Sequence, residues 1–231
     1  ADPQQKTATL LSLGNAQRAI ALQKQKQFST QTIVLDVVAN NSGSVTSALE
    51  SYQPALDYYQ QASEVTPRQP DSLKAELNRL SLLLDIQEFW QGAITDFDRH
   101  LDSLEINDPE FLQEITTGSK TLKQDLEQRL ESEIGNAIAQ VEPKVTQLTA
   151  TRGGIYSRIN LAQSLMRRGI SDYAPRTLKD RQTAQILATA VKQARSINNV
   201  TAEAEAMGYL GSLYEQQGQY QSARRLTEGA L

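Results

Sequence analysis

The chain has no cysteine and a single histidine, His100, in 231 residues. Disulfides, thiol nucleophiles and cysteine-ligated metals are therefore excluded, and one imidazole makes no histidine cluster. Neither fact decides the compartment. No run of about 18 apolar residues occurs, so no membrane span is expected. An apolar signal segment is missing too: Ala1-Asp2-Pro3 begins abruptly, as a mature exported chain, a trimmed fragment or a vector remnant would. The reading leaves a bacterial cytoplasm or, if Ala1 follows a removed signal peptide, export. A large charge of one sign is also lacking. With 23 basic and 27 acidic residues the net charge is −4, and the basic residues are scattered without interleaved aromatics, so neither nucleic acid nor an anionic membrane is an expected partner.

What is present is a repeat. Leu210, Gly211 and Tyr214 share one expected helix, Gly218 breaks it, and Tyr220, Ala223 and Ala230 follow at the spacing of a second helix. Gly211 and Ala223 are small where two antiparallel helices must approach closely, while Tyr214 and Tyr220 fill the wider space between repeats. These are seven residue types of one tetratricopeptide repeat, about 34 residues in period. A single such unit cannot bury its own apolar face, so the rest of the chain must supply neighbours.

The spacing recurs upstream. Leu13-Gly14 repeats Leu210-Gly211, and Tyr52, Ala55, Tyr59 and Ala62 repeat the second helix, ahead of Thr66-Pro67. The interval between them places an insertion at about 19–47, holding the apolar Ile33-Val34-Leu35 run and the turn signal Asn40-Asn41-Ser42-Gly43. After Pro70, with Asp71 or Ser72 as N-cap, Leu73, Leu77, Leu80, Ser81 and Leu84 form a first helix and Trp90, Ala93 and Phe97 its partner. The next repeat pairs 155–168, through Leu161, Ala162, Leu165 and Gly169, with 180–198, through Leu187, Val191 and Ala194. The repeats are thus expected at about 7–67, 73–106, 155–198 and 204–231, with insertions at about 19–47, 109–150 and 170–179. Residues 109–150 carry one apolar stripe, from Ile115 to Leu148, that predicts a long helix or a helical hairpin, although Gly118, Gly135 and Pro143 argue against a straight rod. An alternative register makes Ala137 and Val141 the second helix of repeat two, with 91–133 inserted; the Trp90 register is preferred because it keeps the aromatic-x-x-Ala step. Leu231 falls inside a helix expected to continue, so the chain reads as part of a longer protein.

The segments Leu10-Leu11-Ser12-Leu13-Gly14-Asn15, Asp57-Tyr58-Tyr59-Gln60-Gln61-Ala62, Arg158-Ile159-Asn160-Leu161-Ala162-Gln163-Ser164-Leu165 and Met207-Gly208-Tyr209-Leu210-Gly211-Ser212-Leu213-Tyr214-Glu215 together resemble the repeat region of CHAT-domain proteins common in cyanobacteria. The resemblance covers most of 7–106 and 155–231, and residues 109–150 fit it poorly. It implies an all-α right-handed superhelix of helix pairs preceding a caspase-like peptidase domain. The family's catalytic His and Cys belong to that domain, so the resemblance carries no peptidase activity, and no cofactor, onto these residues.

The expected function is that of a non-enzymatic scaffold that recruits a partner or substrate, or regulates a missing effector domain. Its partner would be a protein or peptide, or the C-terminal domain of the same chain. Alternatives are a self-assembly module working through 109–150, or the accessory fragment of a peptidase. In such a stack the first helices line the concave face, and their outward positions are Asn15 and Arg18, Asn78 and Asp85, Gln163 and Arg167, and Ser212 and Glu215. This polar set of mixed charge is the candidate partner-binding groove. A carboxylate clamp is disfavoured, because Asp85 and Glu215 would oppose an anion. Asp96, Asp98 and Asp102 lack the Gly-punctuated loop of a calcium site.

Overall fold

The computed structural model describes residues 2–26, 50–67, 69–103, 108–168 and 176–230. The described residues are helical, with no strand. Among the described residues eight helices run in order: α1 (Pro3–Gln25), α2 (Gln53–Val65), α3 (Pro70–Ser103), α4 (Pro109–Thr146), α5 (Arg152–Arg168), α6 (Arg176–Ser196), α7 (Val200–Gln216) and α8 (Tyr220–Ala230). The expected all-α class is therefore what is found. The chain divides into two compact units, 1–137 and 138–231, and the division falls within α4.

Local chemistry sets the helix ends. Asp2 caps α1 by accepting the Gln4 N–H at 3.2 Å, and Pro3 occupies the first turn, where its missing donor costs nothing. Gly218, expected as a breaker, has φ +74°; the Gln219 N–H returns to the Tyr214 carbonyl at 2.8 Å and the Gly218 N–H to Glu215 at 2.9 Å. Asn198, at φ 56°, ends α6 with the same pair of bonds, from Asn199 to Ala194 and from Asn198 to Arg195. Both are Schellman turns, one made by glycine and one by an asparagine that tolerates the left-handed conformation. The next residue, Asn199, caps α7 through the Ala202 N–H.

In the first unit α1 packs on α2, α2 on α3, and α1 also touches α3. Their shared core holds Leu10, Leu11, Tyr52, Ala55, Tyr59, Ala62, Ala75, Leu82 and Ile86, joined by Leu130 of α4. Gly14 is required here: a Cβ at that position would lie 2.6 Å from Cε1 of the Tyr59 ring. In the second unit α5 packs on α6, α6 on α7, α7 on α8, and α5 touches α7. Ile155 and Ile159 meet Ala190, Val191 and Ala194, with Ala202, Ala206 and Met207 completing that core. Gly211 lies against α8, its absent Cβ 3.1 Å from Thr227 Oγ1 and 3.4 Å from the Ala223 carbonyl, the close approach expected from the two small residues.

Two expectations are corrected. A hairpin over 73–106 is not formed, because α3 runs unbroken through Trp90 and Ala93. Nothing from Leu84 to Trp90 stops a helix, and Leu84, Ile86, Gln87 and Trp90 are all buried, so the aromatic-x-x-Ala step simply continues the same helix. Within this unit α3 packs on α2, and α4 reaches it through the Arg79–Glu133 pair at 3.3 Å and through Leu130, which joins the same core. Nor do Gly118, Gly135 or Pro143 interrupt α4. Burial of Ile115, Leu130, Ile134 and Ala137 in the first unit, and of Ile138, Val141 and Val145 in the second, outweighs a cost of about 1 kcal/mol per glycine. Pro143 forgoes the bond its N–H would make to the Ala139 carbonyl, a cost that burial of Val141 and Val145 beside it offsets.

The insertions also shift. Residues 19–25 continue α1, and 176–179 belong to α6. Residues 27–49, with the Ile33-Val34-Leu35 run, and 169–175 lie outside the described residues, as do the side chains of Phe97, His100 and Asp102.

Arg158 fastens the end of α4 to α5. Only 3 % exposed, it donates to the carbonyls of Leu148 at 2.6 Å, Thr146 at 3.3 Å and Gly154 at 3.4 Å, a cation at the negative end of a helix. Burial pulls its pKa below the usual arginine value.

The glycines separate packing from propensity. Gly208, on α7, has open space around a Cβ, so Gly208→Ala should raise unfolding free energy by roughly 0.4–1 kcal/mol, whereas Gly14→Ala should lower it by about 1–3 kcal/mol through the Tyr59 ring. Urea denaturation of the two variants beside the parent measures both signs.

Candidate functional site

Four of the eight expected groove residues, all in the first unit, come together in one hydrogen-bonded set. On α1, Gly14, Asn15, Arg18, Leu22 and Gln25 recur at helical spacing on the face toward α2 and α3. On α3, Asn78, Ser81 and Asp85 do the same. Tyr52, the residue that precedes α2, and Tyr59 within it follow, two turns apart.

The bonds follow that register. The Tyr59 hydroxyl donates to Asn15 Oδ1 at 2.8 Å, and Asn78 Nδ2 donates to the same oxygen at 3.3 Å. Arg18 pairs with Asp85 and also donates to Ser81 Oγ at 3.1 Å. The Tyr52 hydroxyl donates to Gln25 Oε1. Arg18 and Asp85 are partly shielded, with side chains 26 % and 19 % exposed, while Tyr52 and Tyr59 are fully buried. A tyrosine in a core needs a partner for its hydroxyl, and these two find theirs on α1.

The electrostatics fit a structural tie. Burial, reinforced by the Asp85 charge and opposed by Arg18, pushes the Tyr52 hydroxyl up to about 12. Burial likewise raises Tyr59, with Arg18 pulling the other way. Both phenols stay neutral donors at physiological pH, so neither is poised as a base. Arg18 is committed to Asp85, which removes the strongest cation that a carboxylate clamp could have used in this unit. What the face presents to solvent is the amide of Asn15, exposed, and that of Asn78, half-buried.

In the second unit Gln163 and Arg167 of α5 and Ser212 of α7 are half-buried, and Glu215 is exposed. Arg167 is engaged in an interaction. Glu215 does not line the cavity of about 550 Å³ that opens between the start of α6 and the end of α7; its walls are Asp180, Arg181, Ala184, Tyr214, Gln216, Gln217 and Gln219. Among the described residues no group of three His, Cys, Asp or Glu side chains could hold a metal, and no helix is long and apolar enough to cross a membrane.

Sequence reasoning placed Asn15, Arg18, Asn78 and Asp85 on one surface and missed that Tyr52, Tyr59, Ser81 and Gln25 bind them. The signal was available in the tyrosines, since two buried phenols on α2 demand polar partners on a neighbouring helix. No family model, no curated protein and no solved structure matches the chain.

The raised phenol of Tyr52 gives a pH signature. Unfolded, it loses its proton near 10; folded, near 12, so the folded state holds that proton more tightly. Its contribution is whole below pH 10 and is lost as pH rises through 12. Unfolding free energy should therefore fall between pH 10 and 12, and Tyr52→Phe should flatten that slope while lowering stability at neutral pH through the lost bond to Gln25.

Proposed function

We propose that the chain is a non-enzymatic protein-interaction scaffold of the tetratricopeptide type, the arm of a larger CHAT-domain protein, which recruits a partner or substrate or regulates the effector domain. The observation that carries the reading is the order of helix contacts. In each unit a first helix packs on a second, the second packs on the next first helix, and the two first helices touch. That nearest-neighbour pattern is what a stack of repeats requires. It occurs together with small residues at the crossings: Gly14 on Tyr59 in one unit, Gly211 on Ala223 and Thr227 in the other. The CHAT assignment rests on the resemblance of the quoted segments alone.

A scaffold of this kind presents polar side chains of successive first helices to one extended polypeptide. Gln163, Ser212 and Glu215, on the two first helices of the second unit, are the groove residues best suited to such contact, because Asn15, Arg18, Asn78 and Asp85 are occupied in joining helices. The absence of cysteine removes any thiol nucleophile from the chain itself.

The test uses immobilised chain and the polypeptide it retains from a bacterial extract. Replacing Gln163, Ser212 and Glu215 by Ala should weaken capture about tenfold, roughly 1.4 kcal/mol, with helicity unchanged. Exposed second-helix controls, Gln61→Ala and Gln221→Ala, should bind as the parent does. Parent-like binding by the triple variant would reject the first-helix face.

A further inference from the structure

The small net charge conceals a partition. Residues 1–137 hold 11 basic and 20 acidic side chains, net −9, whereas 138–231 hold 12 basic and 7 acidic, net +5. The imbalance reaches the exposed faces of two second helices. On α2 of the acidic unit, Asp57 and Glu64 lie on the exposed side seven residues apart, about 10 Å along the axis. Each accepts a hydrogen bond from a glutamine one turn earlier, Gln53 at 2.7 Å and Gln60 at 2.6 Å, and neither is ion-paired among the described residues. On α6 of the basic unit, Arg181 and Lys192 are exposed on one side, eleven residues apart, about 16 Å along the axis. Neither is ion-paired among the described residues, whereas Arg195, one turn on, is held by Glu203 at 2.6 Å. Over Arg176–Ser196 the sequence counts five basic residues against one acidic.

We propose that this chain associates with a second copy of itself, the basic outer face of α6 in one copy meeting the acidic outer face of α2 in the other. The occupant follows from charge complementarity: the molecule that matches the unpaired cations of α6 is the acidic unit of the same protein. The two faces belong to different units, so the contact is heterologous and each pairing leaves one face of either sign free. Association then grows with concentration unless the chain of contacts closes. Opposite fields also steer the encounter and make it depend on salt, because the screening length shrinks from about 30 Å at 0.01 M to about 3 Å at 1 M. This inference uses the helix faces and charges only and stands independently of the repeat reading.

Sedimentation or light scattering of the full chain over a concentration series at low and high salt tests it. At low salt the weight-average mass should rise with concentration above the 25.6 kDa of one chain and return to it at high salt. Arg181→Glu with Lys192→Glu, and separately Asp57→Lys with Glu64→Lys, should each abolish the rise with unchanged circular dichroism. Mixing the two charge-reversed proteins should restore it, since each then meets a face of opposite sign. A parent that stays monomeric at low salt, reversed variants that associate as the parent does, or a mixture that remains monomeric would each overturn the proposal, even where α6 binds another polyanion.

Discussion

A tyrosine ring lying on a glycine sets the geometry of the first unit. With no Cβ at Gly14, the Tyr59 ring reaches the α1 backbone, and its hydroxyl then meets Asn15 one residue on. Asn15 in turn accepts from Asn78, so one close approach between α1 and α2 fixes the position of α3 as well. The second unit uses the same economy of volume at Gly211, against Ala223 and Thr227, without a ring between the helices. Small residues let backbones approach, and the apolar side chains around them, Ala55, Ala62, Leu82 and Ile86 in one unit and Ile159, Ala190 and Ala206 in the other, supply the burial that holds them.

The polar ties contribute differently. Arg18 and Asp85 are partly exposed, so water screens their attraction and the pair adds little net stability. Its effect is register, since Arg18 reaches Ser81 and Asp85 together only when α1 and α3 are aligned as found. The same pairing neutralises the guanidinium and leaves the amides of Asn15 and Asn78 as the polar groups of this face. Arg158 is the counterpart in the second unit. It has three carbonyls in place of a carboxylate, and it secures the short connection between α4 and α5.

Helices α1, α2 and α5 to α8 were legible because glycine, alanine and tyrosine at fixed intervals encode helix crossings directly, and Gly218 encodes a stop. The α3–α4 pair was not. Trp90 and Ala93 imitate the start of a second helix, yet a hairpin needs a break between its arms, and Gly92, the only glycine nearby, sits within the helix with open space around it. What ties α4 to this unit are contacts such as Arg79 with Glu133, 54 residues apart, which no local pattern displays. Of the candidate site, the register of Asn15, Arg18, Asn78 and Asp85 was readable, but their mutual bonding depends on α1 and α3 both packing on α2 and touching each other. The charge partition was readable by counting each half separately, and a whole-chain sum hides it.

The dependence of the first unit on the Gly14–Tyr59 contact is tested most directly by a double-mutant cycle in urea. Gly14→Ala is measured in the parent and again in a Tyr59→Ala background, where the ring that its Cβ would strike is gone. The substitution should be destabilising in the first case and neutral or stabilising in the second, a coupling of at least about 1 kcal/mol, within the range found for residues in contact. An equal cost in both backgrounds would contradict the account.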